Sequence, residues 1–522
     1  METKYIEQFI DRLKNNFTNL KRKKYEHRDY KCELAHLQQV YQECNHDEII
    51  NFWNKKQKED YFKMQHPIYN NITTTAIFSI QHKGINYVFF SENTNKYIWC
   101  GAQGHSLFNW IVVDDTIYEV WPDYRKLNFE FMMNVCSNQL EYRELCFGFT
   151  FDDRTPLWHY ILDNLCYIYS IDLKKPIQRL PYFFIPNNSN ITEEQLVFLR
   201  PIGIGGAHYN IDKKESLMKK FAKCVYRDSL CRLNSFSLEH DKYDLTIWLA
   251  LTYRGTLKTW LQQVDGCIYI IQELQKTFKR IKVYIDGMKS YENASNKDEH
   301  AYSDDVNNDM MITISRIHSK LLNSLSNVDS ISLDRITIKD AICICSQVDI
   351  AIAESGSGSF VPVMFCRKPT VMYGNSNYIK VNSPIHYPDS NVKIISSKYI
   401  KSTGSHSEKW DDRNYHVPWQ HIYNLSVELL ENLSYQKKIK ISNLKLEQLL
   451  VPSVDLLAKQ YDLKQKFGVN ISMENIALYY EAKDQINTLN SNIILEQVNS
   501  KLLQEKAIEL DEVQSKFSFQ SK

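Results

Sequence analysis

Residues 349–374 read DIAIAESGSGSFVPVMFCRKPTVMYG. The opening run, DIAIAES, has the length and apolar content of one strand buried on both faces. It delivers Glu354 into a turn of small residues, Ser355, Gly356, Ser357, Gly358 and Ser359. GSGSFVPVMFC then predicts a short helix, and KPTVMYG a second strand.

The same alternation extends upstream. YDLTIWLALTY (243–253) predicts a fully buried strand. Trp260, Val264, Cys267, Ile268, Ile271, Leu274 and Phe278 then recur at steps of three and four, one apolar helix face. RIKVYIDG (280–287) predicts a second strand ending at Asp286, and the polar stretch 291–309 an exposed insertion. A helix around Met310–Leu325, a strand at VDSISLD and a helix at IKDAICICSQV complete the series. Strands alternating with helices across 243–374 predict a parallel, doubly wound sheet.

Elsewhere the texture differs. Residues 1–65 interleave charged and apolar residues with no Gly or Pro, which predicts helix. From Ile72 come β-rich runs: TTTAIFSI, INYVFFSE, KYIWC and NWIVVDDTIYEVW. FGFTFDDRTPLWHYILDNLCYIYSI (147–171) predicts a strand, a loop and a helix from Pro156, and RLPYFFIP and QLVFLRPIGIGG two further strands. After Gly468 neither Gly nor Pro occurs, and Ile476, Tyr479, Ile486, Leu489, Ile493, Val498, Leu502 and Leu510 form an irregular apolar stripe. That predicts a terminal helix or helical hairpin. Four regions follow: a helical segment 1–65, a mixed α/β domain 66–242, a doubly wound domain 243–420 and a helical region 421–522.

A length of 522 residues exceeds one ordinary core, at roughly 100–200 residues per domain. A net charge of +1 removes the electrostatic case for a nucleic-acid binder. The twelve cysteines contain no C-x-x-C pair, and neither a signal peptide nor a membrane-length apolar run is readable. The expectation is a cytosolic protein with reduced thiols. The basic run Lys21–Lys24 is expected on a solvated helix face, with peripheral contact to an anionic membrane as the alternative. The abundant aromatics are expected chiefly in the core.

Two segments carry ligand chemistry. In a doubly wound sheet, ligands bind beyond the carboxyl ends of the strands, where the 355–359 turn falls. Its small residues let backbone N–H groups approach a ligand, and Glu354 suits ribose-like hydroxyls. The alternative is a structural turn whose serines cap the helix. In LALTYRGTLK (249–258), Arg254 and Lys258 follow the first strand, where cations suit a diphosphate or are simply surface charges. No P-loop, G-x-S-x-G, H-E-x-x-H, D-x-D or metal-spaced Cys/His cluster occurs, so no metal is expected.

On the strength of strand–Arg254/Lys258, strand–Asp286 and residues 349–374, this half resembles the donor-binding domain of GT-B glycosyltransferases. It is similar to bacterial enzymes that build capsule, lipopolysaccharide or protein-linked glycans. The resemblance implies an α/β fold of two Rossmann-like domains, here with a helical N-terminal segment and a long C-terminal helical extension. It implies a nucleotide-sugar donor, no separate cofactor, and a glycan, lipid-linked or protein acceptor in the cytoplasm or at the inner membrane face. Arg254, Lys258 and Ser355–Ser359 would hold the diphosphate and Glu354 the ribose, with Asp286 among the donor-binding residues. An inverting transfer then needs a general base. The candidates are Asp152, Asp153, His159 and Asp163, with His105 in reserve, and the alternatives for them are capping, solvation and core packing. Two other readings are transfer of a non-sugar group such as pyruvate, and a scaffold, with the C-terminal helix recruiting a partner or forming a homo-oligomer.

Overall fold

A computed structural model describes residues 8–13, 20–82, 85–104, 108–121, 144–150, 161, 177–178, 196–199, 211–232, 242–251, 258–290, 304–377, 379, 391–403, 413–436, 438–439, 441–468 and 471–488. The chain divides into two compact units. The first is Met1–Cys231 with Lys289–Tyr302 and Arg335–Asp340, and the second is Arg232–Met288, Ser303–Asp334 and Ala341–Lys522.

The first unit opens with β1 (Lys21–Lys24), α1 (Glu33–Gln42) and α2 (His46–Lys56). Cys32 Sγ caps α1 by accepting from Ala35 N, and Asn45 Oδ1 caps α2 by accepting from Glu48 N. A meander follows: β2 (Lys63–Gln65), β3 (Thr73–His82), β4 (Ile85–Ser91), β5 (Ile98–Gln103), β6 (Trp110–Val113) and β7 (Thr116–Glu119). The seven strands lie in the order β1-β7-β6-β5-β4-β3-β2. Every pair is antiparallel except β1 with β7.

The KRKK run is therefore an edge strand, not the helix face expected from the sequence. Lys21 N donates to Asp115 O, its ammonium pairs with Asp115 at 3.0 Å, and Tyr25 N donates to Glu119 O. The unpaired edge of β7 outweighs the helix propensity of four basic residues. All four side chains are exposed, and lysines on an edge strand discourage a further chain from pairing there.

NWIVVDDTIYEVW resolves into two strands because Asp114 and Asp115 form a two-residue hairpin turn, with Val113 opposite Thr116. Asp114 takes φ +52°, which aspartate tolerates better than most residues. Its carboxylate accepts from Tyr69 Oη at 2.6 Å. Strands β4, β5 and β6 are buried at every position. Tyr87 and Phe89 join Phe9, Ile10 and Leu13 in one core, whereas Phe90 stacks on Trp99 at 4.2 Å. Abundant aromatics thus serve packing here, as expected.

Strands β8 (Cys146–Thr150), β9 (Ile177–Gln178) and β10 (Leu196–Leu199) form a small parallel sheet in the order β10-β8-β9, before α3 (Ile211–Leu230). Rossmann-like layering was expected of this unit, but its larger sheet is antiparallel.

The second unit carries β11 (Leu245–Ala250), α4 (Gln263–Gln275), β12 (Ile281–Asp286), α5 (Asp304–Ser324) and β13 (Val328–Leu333). Next come α6 (Ile338–Cys345, shared with the first unit), β14 (Ile350–Glu354), β15 (Thr370–Tyr373) and β16 (Val392–Ile394). All six strands pair in parallel in the order β13-β12-β11-β14-β15-β16. Leu245, Ile247 and Leu249 share one core with Ile271 and Leu274 of α4 and Ile314, Ile317 and Leu321 of α5. Helix α5 begins inside the stretch expected to be an exposed insertion.

A short hairpin, β17 (Lys401–Ser402) with β18 (Tyr415–His416), precedes α7 (Trp419–Tyr435), α8 (Val454–Phe467) and α9 (Met473–Thr488). Gly468 ends α8 at φ +70°, the left-handed position that glycine favours after a helix. Gln460 Nε2 donates back to Ile471 O, and the Lys459 ammonium lies 3.6 Å from the Tyr480 ring centroid, so α8 and α9 form a hairpin. Residues 489–522 of the expected helical stripe lie outside the described residues. No disulfide joins the described cysteines, and no described helix is long and apolar enough to cross a membrane.

Candidate functional site

Strand order reverses between β11 and β14, the first and fourth strands of the second unit. Such a reversal splays the connections to opposite faces and leaves a crevice at the carboxyl ends. At that edge Ala250 ends β11, flanked by Asp286 at the end of β12 and Glu354 at the end of β14. Both carboxylates are buried, at 5% and 7% exposure. Asp286 and Glu354 were singled out from sequence, and parallel register places them on either side of one strand end.

The turn after Glu354 is held from within. Ser355 N donates to Tyr373 O at 2.6 Å, while Ser359 N and Oγ donate to Gly356 O at 3.1 and 2.7 Å. Ser359 thus braces the turn from within, while its side chain makes no capping bond to the helix that follows. Gly356 lies at φ +133°, ψ −145°, a conformation essentially reserved to glycine. Ser357 and Gly358 are half-buried. The element that follows is not a regular α-helix. Ser357–Ser359 is a 3₁₀ turn and Phe360–Phe365 a π-helix, with Cys366 N donating to Val361 O. Pro362 supplies no N–H to an α-helical ladder, and π segments concentrate at functional sites.

On the β11 side, Lys258 is half-buried with φ +56°. The residues after it are clamped by a strap more than 150 positions later. Thr259 N donates to Asn414 Oδ1, Tyr415 N to Thr259 O, Leu261 N to Tyr415 O, and Trp260 Nε1 to Val417 O, all at 2.9–3.0 Å. Gln262 Nε2 meets His416 Nδ1 at 2.8 Å.

Beneath the clamp is a polar cluster that sequence reasoning missed. Tyr373 Oη donates to Ala250 O at 3.2 Å and Gln263 Oε1 at 3.3 Å. Gln263 Nε2 and Tyr415 Oη are buried and make no hydrogen bond among the described residues. Burial, with Glu354 nearby, holds both phenols well above their ordinary pKa, so they remain donors. Amide and phenol donors beside a carboxylate suit a ligand rich in hydroxyls. The only sequence signal was the aromatic-rich stretch around His416, with nothing to tie it to Gln263.

His416 gives this edge an acid limit. Burial lowers its pKa from 6.5 to about 4, so folding favours the neutral ring. The unfolded chain binds this proton first, so the stability contribution is complete above pH 6.5 and lost as pH falls toward 4. The slope in that window is at most about 1.4 kcal/mol per pH unit for this one group. Denaturation midpoints across pH 4.5–7 are expected to fall less steeply in His416→Gln than in wild type.

The other residues singled out from sequence, Arg254, Asp152, Asp153, His159, Asp163 and His105, lie outside the described residues.

No family model matches the chain, and no curated protein matches it. Among solved structures, a glycosyl transferase family 9 protein from Veillonella parvula is similar at 10% identity, covering 46% of this chain and 51% of that one, with a TM-score of 0.22. The match spans about half the length of that protein.

Proposed function

We propose that the second unit binds a nucleotide-activated sugar at the β11/β14 edge and that the chain is a glycosyltransferase. The observation that supports this reading is the reversal of strand order that sets Glu354 and the Gly356 turn beside the carboxyl end of β11. In this reading Arg254, Lys258 and the backbone N–H groups of Gly356, Ser357 and Gly358, the donors of the turn that Ser355 and Ser359 do not spend internally, stabilise the departing diphosphate by preorganised charge. Glu354, Gln263 and Tyr415 address the nucleoside hydroxyls. A general base deprotonates the acceptor hydroxyl for an inverting transfer, and the candidates remain Asp152, Asp153, His159 and Asp163. The acceptor is a glycan, lipid-linked or protein chain in bacterial surface-glycan or glycoprotein synthesis. The antiparallel first unit favours one competitor, a scaffold that binds no nucleotide.

Thermal melts with UDP, GDP, ADP, dTDP and CMP test the proposal. A ligand at 100 times its Kd adds about 2.7 kcal/mol to the folded state. One nucleotide is expected to raise the melting temperature of wild type but not of Arg254→Ala. No shift with any of them would sink the donor site and favour the scaffold.

A further inference from the structure

In the first unit, α1 and α2 leave a groove of about 570 Å³ between them, within the roughly 300–1,000 Å³ of small-molecule sites. One wall is a single face of α2, Glu48, Asn51, Phe52 and Lys55, at spacings of three, four and seven. Opposite stand His36 and Gln39 of α1; His36 Nε2 reaches Glu48 Oε1 of the facing wall at 3.5 Å, and Gln39 Nε2 donates to Glu43 Oε1 at 2.8 Å.

The walls are braced from behind. The Tyr30 ring lies on that of Tyr25 at 4.5 Å with planes 12° apart, and Tyr25, fully buried, donates to Pro67 O at 3.0 Å. One face of Tyr30 is thus taken by a fixed ring while its side chain still lines the groove. Phe52 is braced edge-on by Trp53 at 5.2 Å. Glu33 is held by the buried Lys56 at 2.7 Å and by Gln65 N at 3.0 Å. His27 Nδ1, on a residue of the same lining, is buried and makes no hydrogen bond among the described residues.

Lining charge balances, with Lys31 and Lys55 against Glu33 and Glu48. An anion or cation would call for an excess of one sign, and an apolar ligand for an apolar lining. Two half-buried aromatic rings with amide and imidazole groups between them suit a molecule with apolar C–H faces and a rim of hydroxyls.

We propose that this groove binds an uncharged oligosaccharide, with Tyr30 and Phe52 as stacking platforms and the Asn51 amide, Gln39 Oε1 and His36 Nδ1 as hydrogen-bonding partners. It stands on the groove alone and does not depend on the second unit being a transferase.

The test is retention of the full-length chain on a printed array of defined oligosaccharides of two to six sugars, neutral and charged. Wild type is expected to bind at least one neutral glycan, Tyr30→Ala to lose about tenfold in affinity, and Tyr30→Phe to keep it. Asn51 is exposed, so Asn51→Ala separates lost binding from lost folding, and it too is expected to weaken retention several-fold. Both variants are expected to keep the wild-type response to nucleotides, so failure here is distinguishable from failure of the donor site. Retention of no glycan, retention only of sulfated or phosphorylated ones, or retention unchanged in both alanine variants would overturn the proposal.

Discussion

Trp260→Ala is expected to cost about 3–5 kcal/mol of stability, the range for emptying a buried aromatic site. Its indole is 1% exposed and 5.3 Å from the Tyr373 ring, and its Nε1 donates to Val417 O. A β-carbon on Gly266 would come within 2.4 Å of that ring, so helix and indole are fitted at contact distance. Alanine leaves a cavity and an unpaired carbonyl, and it removes the centre of the clamp that joins 259–262 to the 414–417 strap. Guanidinium unfolding should show the midpoint falling with little change in slope.

Gly356→Ala is expected to cost about 1–3 kcal/mol for a different reason. Nothing lies within 4 Å of a β-carbon built there, so the cost is backbone strain and not a clash. Relief requires turning the peptides on either side, which moves the 3.1 and 2.7 Å bonds from Ser359 to Gly356 O. The variant should therefore lose nucleotide-dependent stabilisation by more than its melting temperature falls. Retained nucleotide response alongside the stability loss would separate the turn from ligand binding.

The alternating half of the chain was legible because strands such as β11 and β14 are buried at every position and flanked by periodic helices. Their order was not, since nothing in a strand's own residues says which neighbour it takes. Lys21–Lys24 misled because edge pairing is decided by a partner some 95 residues away. The candidate site was half legible. Glu354 and Asp286 announced themselves as acids ending apolar runs. Gln263 and Tyr415 did not, because they are brought together by hydrogen bonds spanning about 155 residues. Pro362 lay in plain view, yet a short apolar segment containing proline does not declare a π-helix in advance.

The same strand order has a consequence for biosynthesis. β11 is central in the finished sheet, but its neighbour β14 begins 100 residues after β11 ends. While the ribosome adds those residues, β12 and β13 can pair on one side only, leaving an edge of Leu-Thr-Ile-Trp-Leu-Ala with no charge to guard it. A nascent or truncated chain ending before residue 350 therefore carries an uncharged, largely apolar strand as an open template for self-association, and completion of β14 closes it.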